Sequence, residues 1–416
     1  MTARNIRHSA FPALMPHQLP EASQVVTLTR APLRAPRVCF ALPYARQLLD
    51  GGAGYFGGAE VRGTTFLRGL ASRGEFDVHV VVIGEGQPPA TGSDGITVHL
   101  RPDVPWDAGH HDDTERSVWA AVDADVYIAL GANEATAELA RFCNANGSAL
   151  LQSIASDATF DSFVYEGSTE RDPYGIAGHF IWYALHHAHE VVVQTERQKA
   201  QYLAREGRSA TLIRNPAPSV ARSAARTAPA FGGRMLWIGR IDPNKRHVEA
   251  LALAAALPHR TMIMVCNDIR SLGERNIAGI EAALPNVMLA DQVALQDVDA
   301  LFRFSDVLVN TSVVEGFPNT FLQAGMHGIP IVSMAVDPDG MLTSHGCGRV
   351  ANGTREDLAR CVDALLTDKQ VYAAAASANA RWLSERHDLA GRVAELAAVV
   401  QHTISTYPRR ATASAH

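Results

Sequence analysis

The sequence has little that would tie it to a membrane, a disulfide framework or a nucleic acid. No apolar run approaches the roughly 18–20 residues that span a bilayer, and the longest candidate, residues 250–257, reads as an alanine-rich helix interior. There is no signal-peptide apolar region followed by a cleavage site. The five cysteines, Cys39, Cys143, Cys266, Cys347 and Cys361, are scattered with no CxxC pair, and several lie in apolar strand-like runs. They read as buried thiols in a reducing compartment. A net charge of −6 gives no global drive toward nucleic acid, although it leaves room for a local basic phosphate pocket. The GxGxxG spacing of a dinucleotide site is missing. No D-x-D triplet lies at a strand end in the second half of the chain. Asp123-Ala-Asp125 does spell one, but it precedes a strand at Val126 and so sits at the wrong end of a sheet for a metal-diphosphate site.

What is present is an α/β pattern. At 416 residues, with 47% hydrophobic and 19% charged residues, the chain has the length of two ordinary domains and the composition of a globular protein. Residues 1–36 carry four arginines, one acid and five prolines, the composition of a flexible basic extension. A contact of this extension with anionic lipid has no amphipathic helix to support it. Order is expected from a strand at residues 38–42, followed by a glycine-rich loop at 51–60, a helix at 61–70 and a continuous apolar strand at 78–83. Strand, glycine-rich turn, helix and strand make a βαβ unit whose turn lets backbone approach a phosphate.

Further strands are expected at 96–100, 126–130 and 149–154, with helices at 114–122 and 133–144. The acidic and aromatic segment 156–175 is long for a structureless loop, which favours a functional one. Trp182, Tyr183, His186, His187 and His189 read as one helix. No Cys or second histidine pair accompanies His186 and His189, so they are taken as structural or surface residues, and His110 to Asp113 as a solvated turn. Residues 218–233, an Ala, Ser, Pro and Arg mixture, read as an interdomain linker.

The second domain opens with a strand ending near Gly239, where Arg240 and Lys245 emerge together and Pro243 is expected to open a helix at its first turn. Two cations near a helix N-terminus suit a diphosphate, the guanidinium through paired hydrogen bonds and the ammonium as a point charge. The chain is organised around residues 309–333. These read as strand, tight loop, helix, turn and strand, with a capping box Thr320-x-x-Gln323 and Gly328 as the stop. Glu315 lies in the loop before that helix and Gln323 follows eight positions later, so both face one crevice at a strand's carboxyl end.

Residues 315–333, EGFPNTFLQAGMHGIPIVS, resemble the E-x7-E region of retaining glycosyltransferases of family 4, with Gln323 in place of the second acid. GRIDPNK (239–245) and GGAE (57–60) are similar to the family's phosphate-binding strand end and first-domain glycine loop, and the resemblance runs over roughly residues 38–405. It implies the GT-B fold: two doubly wound Rossmann-like domains facing a central cleft. Residues 37–217 would form the acceptor-side domain and 234–385 the nucleotide-sugar domain. A helix at 386–405 would cross back to the first domain, before a tail at 406–416. It implies catalytic roles for Arg240, Lys245 and Glu315. The donor would be bound by Gly57, Gly58, Asn267, Gln292, Gly316, Phe317, Pro318, Asn319, Thr320 and Gln323, and the acceptor side lined by Glu60, Tyr165 and Tyr174.

Many members carry a histidine in the first-domain cleft. Here the comparable segment, Ser153 to Asp157, has none, so Asp157 or Ser156 is expected to stand in. Residues 337–353 also depart from the family's glycine-pair turn. The implied function is transfer of a sugar from a nucleotide-sugar to a hydroxyl of a carbohydrate-type acceptor, with retention, as in polysaccharide biosynthesis. The implied setting is the cytoplasm, with no cofactor and no metal, because Arg240 and Lys245 would offset the diphosphate charge. Two other readings stay open: a GT-B-like protein that binds a nucleotide-sugar or glycan without turnover, and a nucleotide-sugar epimerase. Base, sugar, acceptor and oligomeric state are not legible.

Overall fold

The computed structural model of the chain describes residues 34–51, 57–85, 94–103, 111–172, 175–217 and 224–408, without the side chains of 111–115 and 295–296. Its first half is a parallel sheet of β1 (Arg37–Ala41), β2 (Asp77–Ile83), β3 (Ile96–Arg101), β4 (Val126–Leu130), β5 (Ala149–Ser153), β6 (Glu190–Val193) and β7 (Thr211–Leu212). The spatial order is β3-β2-β1-β4-β5-β6-β7. Strands such as β2, DVHVVVI, and β4, VYIAL, are buried along nearly their whole length. That is the signature of a parallel sheet covered on both faces. The covering helices are α1 (Arg46–Asp50), α2 (Gly58–Arg73), α3 (His111–Val122), α4 (Glu134–Asn146), α5 (Gly178–His186) and α6 (Glu196–Glu206).

The second half repeats the plan. Strands β8 (Met235–Arg240), β9 (Met262–Asn267), β10 (Val287–Ala290), β11 (Val307–Asn310), β12 (Ile331–Ser333) and β13 (Gly348–Val350) run parallel in the order β10-β9-β8-β11-β12-β13. The helices are α7 (His247–Ala256), α8 (Glu274–Ala283), α9 (Leu295–Arg303), α10 (Asn319–Met326), α11 (Arg355–Thr367), α12 (Lys369–Arg386) and α13 (Leu389–Thr406). In each sheet the strand order reverses once, between β1 and β4 and between β8 and β11, and ligands bind in the crevice at the carboxyl ends beside such a reversal. This is the GT-B architecture. Helix α13 returns to the first sheet: Val393, Leu396 and Val400 share a buried cluster with Phe40, Phe66 and Leu70, and Gly69 of α2 leaves room only for Val393.

Several local expectations are corrected. Pro243 lies in a turn; α7 begins at His247, after Arg246 in a left-handed conformation (φ 48°). Thr320 is inside α10 rather than at its cap. Pro318 holds that place without a side-chain hydrogen bond, so the Thr320/Gln323 capping box is absent. The cause is Pro318 itself: its ring fixes φ near −65°, which starts the helix one residue before the expected Thr320. α5 ends at His186, and His189 stands ahead of β6, where its Nδ1 accepts the Leu150 N–H at 3.1 Å. His111 to Asp113 open α3. The later part of the presumed linker is not loose. The buried Asp306 carboxylate accepts backbone N–H groups from Ala230, Phe231, Gly233 and Arg234, fastening that stretch beside β11.

Candidate active site

The second-domain wall is built from the turns that follow β8 and β11, the two strands flanking the reversal. Arg240 ends β8 and its Nε lies 3.2 Å from the Asp242 carboxylate. Asp242 also accepts the Lys245 backbone N–H at 2.8 Å, which closes the turn under both cations. The Lys245 ammonium is paired with the Glu315 carboxylate, both side chains keeping some access to solvent. Asn244, buried between them, donates to the Val314 carbonyl and accepts the Val314 N–H, each at 3.0 Å, while the Val313 N–H reaches the Asn244 carbonyl. This side chain imitates a strand partner and sets the register of the Lys245 turn against the Glu315 loop. Thr311 completes the support: its hydroxyl accepts from the Trp237 indole N–H at 2.9 Å and donates to the Lys245 carbonyl at 2.6 Å.

The first-domain wall is assembled at the ends of β5 and β6. Ser156 caps the short helix Asp157–Phe160, its hydroxyl accepting the Ala158 N–H. One oxygen of the Asp157 carboxylate accepts from Gln198 Nε2 at 2.9 Å, and the other lies 3.6 Å from Arg197 Nε. Burial pushes the Asp157 carboxyl up from the usual range. Gln198 and Arg197 oppose that shift, and the charges of Asp339 and Asp161 add to it. Beneath this wall Arg62 of α2, buried and held down to a pKa of about 9 by that burial, donates to the Ser153 hydroxyl at 2.6 Å and to the Ile213 carbonyl at 3.3 Å. It ties α2 to the ends of β5 and β7.

The walls meet. The Asp157 N–H donates to the Glu315 carbonyl at 3.3 Å, so the first-domain carboxylate and the E-x7-Q loop are backbone neighbours. Gly316 is pressed into the first domain: an added Cβ would lie 2.5 Å from the Ala155 carbonyl and under 3.0 Å from the amides of Gln194 and Gln198. Asn319 Nδ2 donates to the Gly58 carbonyl at 2.8 Å, and its Oδ1 accepts from Asn215 at 3.1 Å. The glycine loop and the E-x7-Q loop are thereby brought together, as the motifs imply.

Other candidates land elsewhere. The Phe317 side chain is core, packed against Phe321 and His387, so any part it has in a site comes from its backbone, whose carbonyl accepts from Asn215. One oxygen of the Glu60 carboxylate accepts the Gly57 N–H at 2.9 Å, which caps α2. Pro318 is buried and Thr320 half-buried at the start of α10. Gln323 is half-buried one turn on, and its amide makes no side-chain hydrogen bond among the described residues. Asn267 ends β9, with its carbonyl taken by Ile241 N–H at 3.4 Å, and Gln292 is half-buried after β10. Tyr165 is half exposed. Tyr174 lies outside the described residues.

The residues not anticipated are Asn244, Gln194, Gln198, Arg197, Arg62 and Asp339. Most are polar groups in ordinary helix or turn contexts whose partners are distant in sequence, so no local spacing marks them. Asn244, between Pro243 and Lys245, carries the only local hint, a turn-forming residue ahead of a cation. No group of three His, Cys, Asp or Glu residues among those described is placed to hold a metal ion, and no described helix is long and apolar enough to cross a membrane. All five cysteines are buried and unpaired.

Residues 232–368, which hold the whole Lys245–Glu315 wall, match the family model of glycosyl transferases group 1. The match spans about a third of the chain and lies within the second domain. No curated protein matches the sequence. Among solved structures, the chain is similar to Anabaena Alr3699/HepE, crystallised with UDP and glucose (TM-score 0.66, 18% identity, 88% of this chain and 100% of that one). It is also similar to sucrose-phosphate synthase from Thermosynechococcus elongatus (TM-score 0.70, 14% identity, 89% and 100%). A third similarity is to WaaG, a glycosyltransferase involved in lipopolysaccharide biosynthesis (TM-score 0.61, 14% identity, 87% and 99%). At these identities the likeness establishes the GT-B fold across both domains.

Proposed function

We propose that the chain is a retaining, metal-independent glycosyltransferase of family 4 that moves a sugar from a nucleotide-sugar to a hydroxyl of a carbohydrate-type acceptor. The observation that carries this is the pairing of Lys245 with Glu315 beside the β8/β11 reversal, with Asp157 of the opposite domain hydrogen-bonded through its N–H to the Glu315 carbonyl. When the bond from the anomeric carbon to the diphosphate breaks, negative charge develops on the leaving group. Arg240 and Lys245, already fixed by Asp242 and Thr311, stabilise that charge without reorganising. A diphosphate would give Lys245 a second anion beside Glu315 and leave the Glu315 carboxylate free to accept from donor-sugar hydroxyls. In this reading Gly57, Gly58, the backbone of residues 316–319 and Asn319 line the donor side. Asn267 and Gln292 lie toward the base, and Gln323 takes the ribose. Asp157, raised by burial, is the first-domain group nearest the reacting carbon, and Tyr165 offers a ring to the acceptor. The buried thiols suit a reducing cytoplasm.

The test is a thermal-shift panel of UDP-, GDP-, ADP- and TDP-sugars, followed by proton NMR of the product. A bound donor at about 100 times its dissociation constant adds about 2.7 kcal/mol. The expected result is one stabilising base, turnover undiminished by a chelator, and a product with the donor's anomeric configuration. Stabilisation with neither transfer nor donor hydrolysis would make the chain a binding protein instead.

A further inference from the structure

The segment 337–353, which departs from its family's pattern, contains a residue that reaches across the cleft. Asp339 adopts a left-handed backbone (φ 52°, ψ 28°), a region sparsely populated by any residue but glycine. Its carboxylate lies 2.6 Å from Arg214 Nη1, on the stretch just after β7, and both side chains are less than a tenth exposed, at 9% and 7%. The same carboxylate accepts the Glu196 N–H at 3.2 Å and the Arg197 N–H at 3.4 Å. These are the first two orphan donors of α6, whose third is taken by its own N-cap, Thr195, through the Gln198 N–H. A first-domain helix is thus capped in part by a second-domain carboxylate. From that same turn Arg197 and Gln198 reach Asp157, and Gln198 is held in orientation because its Oε1 accepts the Gln194 N–H at 2.9 Å.

We infer that Asp339 is a positioning residue: by capping α6 and pairing with Arg214 it holds Arg197 and Gln198, and through them Asp157, in the geometry the reaction needs. The Asp157 carboxylate is therefore set only while the two domains are engaged. The strained backbone at 339 fits this role, since a glycine there would remove the strain and also the carboxylate. The inference rests on the proposed glycosyl transfer for its kinetic consequence, but not for its structural one.

Asp339→Gly tests it, because that substitution suits the left-handed backbone and leaves Arg214 a second carboxylate, Glu196, at 3.6 Å. Amide exchange of a peptide covering residues 194–206 is expected to speed up at least tenfold. Turnover is expected to fall at least tenfold with the donor KM within about twofold of the parent. Asp339→Asn, which keeps an acceptor for the two N–H groups but loses the ion pair, is expected to recover part of both. Unchanged exchange overturns the inference. So does faster exchange with unchanged turnover, or a loss of turnover matched by an equal loss of folded protein. If the parent chain binds no nucleotide-sugar in calorimetry, the glycosyl-transfer reading fails by itself, and the capping of α6 by Asp339 is still decided by the exchange rate.

Discussion

The two walls of the cleft are held by different means. Lys245 and Glu315 sit on turns after neighbouring strands of one sheet, registered by main-chain hydrogen bonds to Asn244 and by the Thr311 hydroxyl, all within the second domain. Asp157 is held by side chains of α6, and α6 in turn is capped from the other domain. The pairing of Lys245 with Glu315 is supported by side chains of its own domain, whereas the Asp157 carboxylate is held by a helix that the second domain caps. This suits the order a transfer reaction needs. On the proposed transfer, the donor would bind to a preformed surface, and Asp157 would reach its working geometry only when the cleft is assembled.

The sharpest way to test the second-domain wall is to remove its cation. In the proposed mechanism Lys245→Ala deletes a donor to the developing charge, and it leaves Glu315 without its Lys245 partner. Turnover should fall by a factor of 10² or more, about 3 kcal/mol in the barrier, with Arg240→Ala close behind. A steady-state assay with the stabilising donor checks this, and near-parental turnover in both variants would sink the diphosphate assignment.

The contact between the walls is tested at Gly316. A methyl group there would meet the Ala155 carbonyl, a backbone atom, at 2.5 Å, and the buried side-chain amides of Gln194 and Gln198 at 2.8 and 2.9 Å. Gly316→Ala should cost about 1–3 kcal/mol by overpacking, read as a lower Tm, and activity should fall with it. An unchanged melt would mean that the domains part easily at this point.

A gentler way to loosen the junction is to change pH. His387 lies between the domains, its Nδ1 2.7 Å from the Asn215 carbonyl and its own carbonyl accepting the Ala217 N–H. Burial, only partly offset by that hydrogen bond, lowers its pKa to about 3. The folded chain therefore keeps this ring neutral at pH values where the unfolded chain protonates it, near 6.5 and below. The associated stability is fully present above about pH 6.5 and is lost as the pH falls toward 3, by up to about 1.4 kcal/mol per unit. Melts of the parent and His387→Gln from pH 7.5 to 5 should show the steeper decline in the parent. Parallel declines would remove His387 as the cause.

The same comparison shows what the sequence could disclose. Apolar runs such as residues 78–83 and 126–130, and the alternation of strands with helices, made the doubly wound sheets legible because parallel strands are buried on both faces. The second-domain wall was legible too, since Arg240, Lys245 and Glu315 follow strands that periodicity marks. The first-domain wall was not. Gln198 looks like any polar residue on α6, and the partners of Arg62 lie 91 and 151 positions away. Spacing also misled where one local rule overrode another: Pro318 took the cap that Thr320 was expected to fill.

The finest distinction concerns Gln323, where the E-x7-E pattern is broken. A glutamate there would accept two charge-assisted hydrogen bonds from a ribose diol, while glutamine keeps one acceptor and gains two donors. From sequence the amide had a competing role, closing a capping box with Thr320. The structure removes that role: Pro318 is the cap, and Gln323 stands five residues beyond it, outside the reach of any capping box. Among the described residues no side-chain hydrogen bond holds this half-buried amide, so the proposed ribose contact and a purely structural role can be separated by substitution. Gln323→Ala should weaken nucleotide binding by about 1 kcal/mol, roughly fivefold, and leave the Tm of the ligand-free chain within a degree or two. Gln323→Glu should tighten binding, because the charged acceptor replaces a neutral one. Calorimetric titration of both variants with the nucleoside diphosphate, beside a melt of each, decides the matter. Equal affinity in all three proteins would show that the diol is held elsewhere.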